Sequence, residues 1–346
     1  MGEKHVVRFE PVGIEIEVDE DTNVLRAAAE QGITLMHGCK EGQCSSCKSF
    51  VLDGEDPELD KYSTFALPDS EQDEGYTLLC RAHVYEDTTI ELLNYDEEMI
   101  RSGHPIQEAV AEVVSNESVT HDLRHLVLKL VEPQDIEYWP GQYVDIAIPD
   151  SDETRSFSMA NTTSKESGQL EFVIKIYPDG QFSHFLDTKV EVGGRLDLVG
   201  PFGVFTLRER DSDIVFVGGG AGMAPILCLL RTLAASDSPR KATFYYGART
   251  QKDLCFEEEL HALAEQVPNF RYVPALSEAD EDQPWDGEVG LITDIVKKHE
   301  SDLSEVDSYV CGPPPMVEAA IDVLSGLGAP DKNVYYDKFT TTGEPT

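Results

Sequence analysis

Apolar residues recur at every second position through much of the stretch from Ile106 to Leu207, the spacing of half-buried strands. Leu126, Leu128 and Leu130 interleave with Val127, Lys129 and Val131, and Val144, Ile146 and Ile148 with Asp145 and Ala147. Phe172–Tyr177 and Arg195–Val199 are two further β-like runs. Pro140-Gly141, Asp179-Gly180, Gly193-Gly194 and Gly200-Pro201 read as the turns between strands. Short strands punctuated in this way predict a small antiparallel barrel. From Asp213 the rhythm changes. Ile214–Val217, Thr243–Tyr246, Tyr272–Pro274 and Tyr309–Cys311 read as strands, and Pro225–Leu233, Phe256–Val267, Leu291–His299 and Met316–Leu327 carry helical spacing. Such alternation predicts a parallel sheet covered by helices on both faces.

Charge adds a boundary that the apolar pattern does not show. Residues 1–100 carry 7 Lys or Arg against 24 Asp or Glu, net −17 of the chain's −39 over 346 residues. This shift predicts a first domain ending in the stretch Asn94–Pro105, which reads as a linker. A hydrophobic fraction of 40% excludes wholesale disorder. The acidity excludes nucleic acid and anionic membranes as partners, since both repel it. It suits docking on a basic protein surface, and it serves equally as a device for solubility. Residues 1–10 place charges where a secretory signal needs apolar residues. The longest uncharged run, Ile214–Leu230, is 17 residues with four glycines and a proline, so it reads as strand, turn and helix and not as a membrane span. A cytoplasmic location is expected, where seven cysteines serve as metal ligands, catalytic groups or buried apolar residues in preference to disulfides.

Four of the seven stand at Cys39-x4-Cys44-x2-Cys47 and, 33 positions on, Cys80. This is the plant-type spacing for a 2Fe-2S cluster: three thiolates come from one short loop and the fourth from elsewhere. Gly38, Gly42, Ser45 and Ser46 supply a tight backbone and donors for the cluster sulfurs. Zinc and buried free thiols are the competing readings, and zinc favours two C-x2-C pairs where one occurs.

Three further motifs follow. Arg155-Ser156-Phe157-Ser158 offers a phosphate clamp with an aromatic ring on the same side of a strand. About 20 residues on come Ile174-Lys175-Ile176-Tyr177 and then Gly180-Gln181-Phe182-Ser183, leading into a short helix expected at Phe182–Asp187. A charged strand end is the plainer reading of the first of these. Val217-Gly218-Gly219-Gly220-Ala221-Gly222-Met223-Ala224-Pro225 is a glycine-rich strand-to-helix turn, open to a dinucleotide pyrophosphate or simply a tight turn. It departs from G-x-G-x-x-G. Cys311-Gly312-Pro313-Pro314-Pro315-Met316 ends a strand at a rigid turn, where such folds bind ligands. Cys228 and Cys255 lie within or next to apolar helix faces and read as core.

Taken in order, C-x4-C-x2-C…C, R-S-F-S, G-Q-F-S, Gly200-Pro201-Phe202-Gly203, G-G-G-A-G and C-G-P-P-P-M resemble the ferredoxin-NADP reductase-like family. Within it the chain is most similar, over nearly its whole length, to the reductase components of bacterial oxygenases. The soluble di-iron monooxygenases acting on methane, propane, alkenes or phenols are the nearest group. The resemblance implies an α+β β-grasp ferredoxin domain at 1–98 holding one 2Fe-2S cluster and a linker at 99–105. It implies next an antiparallel six-stranded β-barrel at 106–208 binding one FAD, then an α/β parallel-sheet NAD domain at 209–346.

It also implies roles. Cys39, Cys44, Cys47 and Cys80 would hold the cluster. Arg155 would bind the FAD diphosphate with Ser156 beside it, Phe157 would cover one flavin face, and Ser158 would hydrogen-bond near N5. Ile174, Lys175 and Tyr177 would line the same site, and Gly180, Gln181 and Ser183 would hold the diphosphate. Gly219, Gly220 and Gly222 would receive the nicotinamide dinucleotide, with Cys311, Gly312 and Pro313 beside the nicotinamide. Tyr336-Asp337-Lys338-Phe339 matches the family's ending, so Phe339 would lie on the other flavin face. Cys311, Ser158 and Phe339 are the implied catalytic set. Phe157 stands where Tyr is commoner, which keeps stacking and forgoes a hydroxyl contact.

The implied activity is a relay from NADH through FAD and the cluster, one electron at a time, to the hydroxylase component of a di-iron monooxygenase. The acceptor would dock on the acidic ferredoxin domain, and the reductase would act as a monomer. Arg249 and Lys252, after Gly247-Ala248, are able to meet a 2′-phosphate; Asp253 opposes it, and the relatives' use of NADH decides the expectation. The alternatives are the reductase of a Rieske-type aromatic-ring dioxygenase and a non-catalytic ferredoxin-type carrier or sensor.

Overall fold

Strict alternation builds the first sheet. Val7 and Phe9 of β1 (Lys4–Glu10) and Ile14, Ile16 and Val18 of β2 (Ile14–Asp19) all point to one buried face. Helix α1 (Val24–Glu30) starts at Asn23, whose side-chain oxygen accepts the Arg26 N–H at 2.9 Å. It lays Val24, Leu25, Ala27 and Ala28 on that face. The remaining strands are β3 (Lys48–Asp53), β4 (Glu58–Leu59), β5 (Tyr76–Leu78), β6 (Ala82–His83) and β7 (Thr88–Leu92), with α2 (Asp69–Asp73) between β4 and β5. The sheet order is β2-β1-β7-β3-β5, with β1 and β7 parallel and the other pairs antiparallel, a β-grasp arrangement.

The computed structural model describes residues 3–96, 99–101, 103–149, 151, 153–162, 168–236, 238–280 and 282–339. Residues 97, 98 and 102 of the expected linker, and 340–346 of the expected third domain, lie outside the described residues. In the described part of that linker Met99 and Ile100 are buried, and the Ile100 carbonyl accepts the Thr34 N–H at 3.2 Å. Two compact units emerge: Met1–Gln107 with Gly200–Val204, and Glu108–Val199 with Phe205–Thr346.

The barrel is formed by β8 (Gln107–Ser118), β9 (Leu123–Glu132), β10 (Tyr143–Ala147), β11 (Thr154–Ser158), β12 (Gln169–Lys175) and β13 (Arg195–Phe202), with α3 (Gln181–Thr188) inserted before β13. The order is β11-β10-β13-β8-β9-β12, and an antiparallel bridge between Met159 and Phe172 brings the two edges together, so the six strands nearly close. The interleaved Leu126, Leu128, Leu130, Val144, Ile146 and Ile148 fill the interior, as the period of two predicts. One turn signal is overridden: β13 runs through Gly200-Pro201 to Phe202, because the strand lies between β10 and β8 instead of at an edge.

The last layer holds β14 (Ile214–Gly219), α4 (Met223–Ala235), β15 (Ala242–Ala248), α5 (Glu257–Gln266), β16 (Phe270–Leu276), β17 (Glu288–Val289), α6 (Ile292–His299), β18 (Asp307–Gly312), α7 (Pro314–Gly326) and β19 (Val334–Lys338). All its strand pairs are parallel, in the order β17-β16-β15-β14-β18-β19. Fully buried β14 and β18 form its centre, and Cys228 and Cys255 are core residues, as read from the sequence. No helix among the described residues is long and apolar enough to cross a membrane.

Arg231 of α4 ties this layer to the barrel. Its guanidinium donates to Glu259 of α5 at 2.7 and 2.9 Å, and to Ala160 O and Glu171 of β12 at 3.0 Å each. The His125 hydrogen bond, followed by the Arg231 charge, outweighs burial and pulls the Glu171 carboxyl down to about 2. A carboxyl depressed in the folded state stabilises above its ordinary range and loses that contribution as pH falls through about 2. Glu171→Gln is therefore expected to lower the unfolding midpoint at pH 7, with the gap to the wild type narrowing as urea titrations move below pH 4.

Candidate functional site

The cysteine loop winds through an unusual backbone. Lys40, Gly42 and Ser45 all take positive φ, between 57° and 68°. For Lys40 and Ser45 this is strained, and such strain persists where a site requires it. At Gly42 it is obligatory, since a Cβ there would lie 2.6 Å from Tyr62 Cβ. The curled loop turns backbone N–H groups onto sulfur: Gln43 and Glu41 donate to Cys39 Sγ at 3.2 and 3.4 Å, and Cys39 to Cys44 Sγ at 3.3 Å. The four sulfurs fall into two contacting pairs, Cys39 with Cys44 and Cys47 with Cys80. Within the first pair the Cys39 thiol, with the Cys39 and Ser46 donors, pushes Cys44 down to about 4 against the opposing effect of burial. Two thiol pairs under inward-facing N–H groups fit a centre with two irons, each bound by two sulfurs. A single zinc would gather all four around one point.

In the second unit the named barrel residues lie on β11, at the end of β12 and just beyond it, and at the start of α3. On β11, Ile146 faces Arg155, Asp145 faces Ser156, Val144 faces Phe157 and Tyr143 faces Ser158. Ser156 donates to Asp145 at 2.6 Å, and the Arg155 guanidinium pairs with Glu153 at 2.7 Å. The Phe157 ring lies 4.6 Å from that of Phe182, the second residue of α3. Gly180 caps α3 and Gln181 begins it, while buried Ser183 accepts the Tyr177 N–H at 2.9 Å and folds the approach to the helix back on itself. Ile174 is buried in the barrel interior, and the Lys175 ammonium is paired with Asp122. An aromatic ring against the start of a helix, with a guanidinium two residues before it on the same strand, fits a flavin dinucleotide.

The parallel sheet reverses its strand order between β14 and β18, and crevices at such points receive ligands. Gly218 stands opposite Cys311 in register, so the glycine turn and the Cys311-Gly312-Pro313 turn are neighbours. A Cβ on Gly219 would come 2.7 Å from Met316 Sδ, and one on Gly222 2.2 Å from Cys311 O. Tyr246 Oη donates to Gly220 O at 3.3 Å from below. Helices α4 and α7 start directly after the two turns, so both positive ends face the crevice, as a pyrophosphate requires. Cys311 and Phe339 are brought into one apolar cluster with Ala160, and the Phe339 N–H donates to Gly312 O at 3.0 Å. Ser158 stands two residues before Ala160 on the barrel side.

Sequence reasoning passed over Asp337. It pairs in register with Cys311, and burial first, then this carboxylate, push the Cys311 thiol well up, so it stays neutral. Its signal was present in the Tyr-Asp-Lys-Phe ending, but the strand pairing that aims it was not. Arg249, considered for a 2′-phosphate, is instead held by Asp253 at 2.8 Å and Asp122 at 3.5 Å.

Three families match the chain in order: a 2Fe-2S iron-sulfur cluster binding domain at residues 7–85, an oxidoreductase FAD-binding domain at 110–207 and an oxidoreductase NAD-binding domain at 216–322. The chain is 49% identical to the reductase component of propane 2-monooxygenase from Mycolicibacterium smegmatis, covering 99% of each. It is 33% identical to the reductase component of phenol 2-monooxygenase from Pseudomonas, covering 98% of this chain and 95% of that one. Among solved structures, a cytochrome P450 reductase from Amycolatopsis superposes with a TM-score of 0.88 at 28% identity, covering 98% of this chain and 100% of that one.

Proposed function

The chain belongs to the ferredoxin-NADP reductase-like family with an N-terminal 2Fe-2S domain, and on that premise we propose that it is the reductase of a propane-type soluble di-iron monooxygenase. It is an NADH oxidoreductase that delivers electrons to a monooxygenase hydroxylase. When bound, FAD takes electrons in pairs from NADH and the 2Fe-2S centre passes them on singly.

The residues divide this work. Cys39, Cys44, Cys47 and Cys80 would hold the 2Fe-2S centre. Arg155, Ser156, Phe157, Ser158, Ile174, Lys175, Tyr177, Gly180, Gln181 and Ser183 bind and orient the flavin. Gly219, Gly220 and Gly222 admit the dinucleotide, and Gly312 and Pro313 shape the opposite wall. Cys311, kept neutral, and Phe339 close the nicotinamide site against water. Arg249 bound to two carboxylates leaves a 2′-phosphate unwelcome, in keeping with NADH. The domains follow the ranges 1–98, 106–208 and 209–346, and the reductase works as a cytoplasmic monomer.

The observation that supports this reading is the pair of thiol pairs, because it fits a two-iron centre in a chain that also builds a dinucleotide crevice. Anaerobic NADH titration of the purified protein tests it. Two irons and one flavin per chain, with the cluster reduced by NADH and reoxidised by a propane monooxygenase hydroxylase, is the expected result. Reoxidation by a Rieske oxygenase and not by the di-iron protein would overturn it, as would a chain that binds no flavin.

We place the docking surface at Phe65. It is 82% exposed, on the segment that covers the cysteine loop through Ser63 N–H to Gly42 O at 3.0 Å and Ser45 Oγ to Ala66 O at 2.9 Å. Exposed Asp60, Asp69 and Asp73 flank it in sequence, outnumbering exposed Lys61, which suits a hydroxylase face with basic residues. Phe65→Ala is expected to slow electron transfer to the hydroxylase about tenfold while ferricyanide reduction holds. The transfer rate should also fall as salt rises. Stopped-flow traces with the reduced protein measure both.

A further inference from the structure

Building on the relay proposed above, we propose that Phe202-Gly203 is the seat of the cysteine loop and that His37 is the positioning residue holding the loop there for electron uptake. His37 is buried two residues before Cys39. Its Nδ1 lies 2.7 Å from the Leu35 carbonyl oxygen, which can only accept, so Nδ1 carries the proton and Nε2 offers a lone pair. Nε2 accepts the Gly203 N–H at 3.2 Å. Both ring nitrogens are thereby committed, and His37 is not an iron ligand.

One residue past Cys39, the Lys40 ammonium stands 3.7 Å over the Phe202 ring. The ligand is thus bracketed on both sides by contacts to a single dipeptide. That dipeptide belongs to the first compact unit, although Phe202 ends barrel strand β13. A backbone that runs on from a barrel strand and is hydrogen-bonded beside Cys39 offers electrons a bonded route into the cysteine loop. Electron transfer weakens steeply when a bonded step is lost, so loosening this seat slows uptake without changing either redox centre. NADH oxidised to NAD+ and a proton would supply two electrons, which the cluster would relay one at a time, each handed to the acceptor before the next is taken up.

The test is anaerobic stopped flow on the full-length holoprotein, following flavin and cluster bleaching separately after mixing with NADH. His37→Ala and Phe202→Ala are each expected to slow cluster reduction about tenfold or more. Flavin reduction, iron content and the paramagnetic spectrum of the dithionite-reduced cluster should stay as in the wild type. His37→Gln, whose amide oxygen can accept the Gly203 N–H, should recover much of the rate. Wild-type cluster reduction in both alanine variants overturns the inference while leaving the relay intact. A slowing that appears only with lost iron or an altered spectrum overturns it too. A wild-type cluster that NADH never reduces removes the relay and this inference together.

Discussion

Cys80→Ala should strip the first unit of its iron and cut electron transfer to cytochrome c by more than about a hundredfold, while NADH-driven reduction of ferricyanide stays near the wild-type rate. Cys80 follows β5 and is buried against Cys47, and it is the ligand supplied from outside the 39–47 loop. Without it the proposed cluster would lack one of its four cysteine thiolates, and loss of a direct ligand exceeds the 10–100-fold cost of disturbing an outer-shell partner. The flavin and dinucleotide residues belong to the second unit, so the ferricyanide assay reads them independently. Iron analysis, visible absorbance and the two assays check the result. Loss of both activities in a folded, flavin-containing protein would show that the order of electron carriers is wrong.

Gly222→Ala is the second large effect. Its Cβ would lie 2.2 Å from the Cys311 carbonyl oxygen, a backbone atom that yields only if one of the two crevice turns moves. A displacement of about 1 Å in a site that aligns reactants costs about a hundredfold, so flavin reduction by NADH should slow on that order, with NADH affinity falling too. FAD content should persist, since the barrel residues are untouched. Gly326→Ala supplies the control: it lies in α7, its Cβ would meet nothing within 4 Å, and it should stabilise by about 0.4–1 kcal/mol. Stopped-flow flavin reduction and thermal unfolding of the two variants measure the contrast, and equal rates in both would remove the tight contact between the turns from the account.

Much of the site was legible because its chemistry is local. A short loop carrying Cys39, Cys44 and Cys47 announces its ligand by spacing, and the glycine and proline turns at 217–225 and 311–316 constrain the backbone wherever they occur. The helices also fell close to their periodicity: α5 spans Glu257–Gln266 within the expected Phe256–Val267, its start set by Phe256 in a left-handed conformation. Turn signals were less dependable. Gly200-Pro201 reads as a break, yet β13 continues through it, since pairing to β10 and β8 outweighs local preference.

The sequence by itself determined the fold class and the order of the three cofactor domains and offered candidate residues for each, because periodicity, turn chemistry and ligand spacing act over a few residues. Only the tertiary structure decided which groups meet: Cys39 with Cys44 and Cys47 with Cys80, Asp337 behind Cys311, Gly222 against the Cys311 carbonyl, Arg249 on Asp122 and Asp253, His37 on Gly203. Each of these depends on strand register or on packing between distant segments. A shift of one residue in a parallel pair turns every side chain to the other face, and nothing within a single segment records the partner it will find.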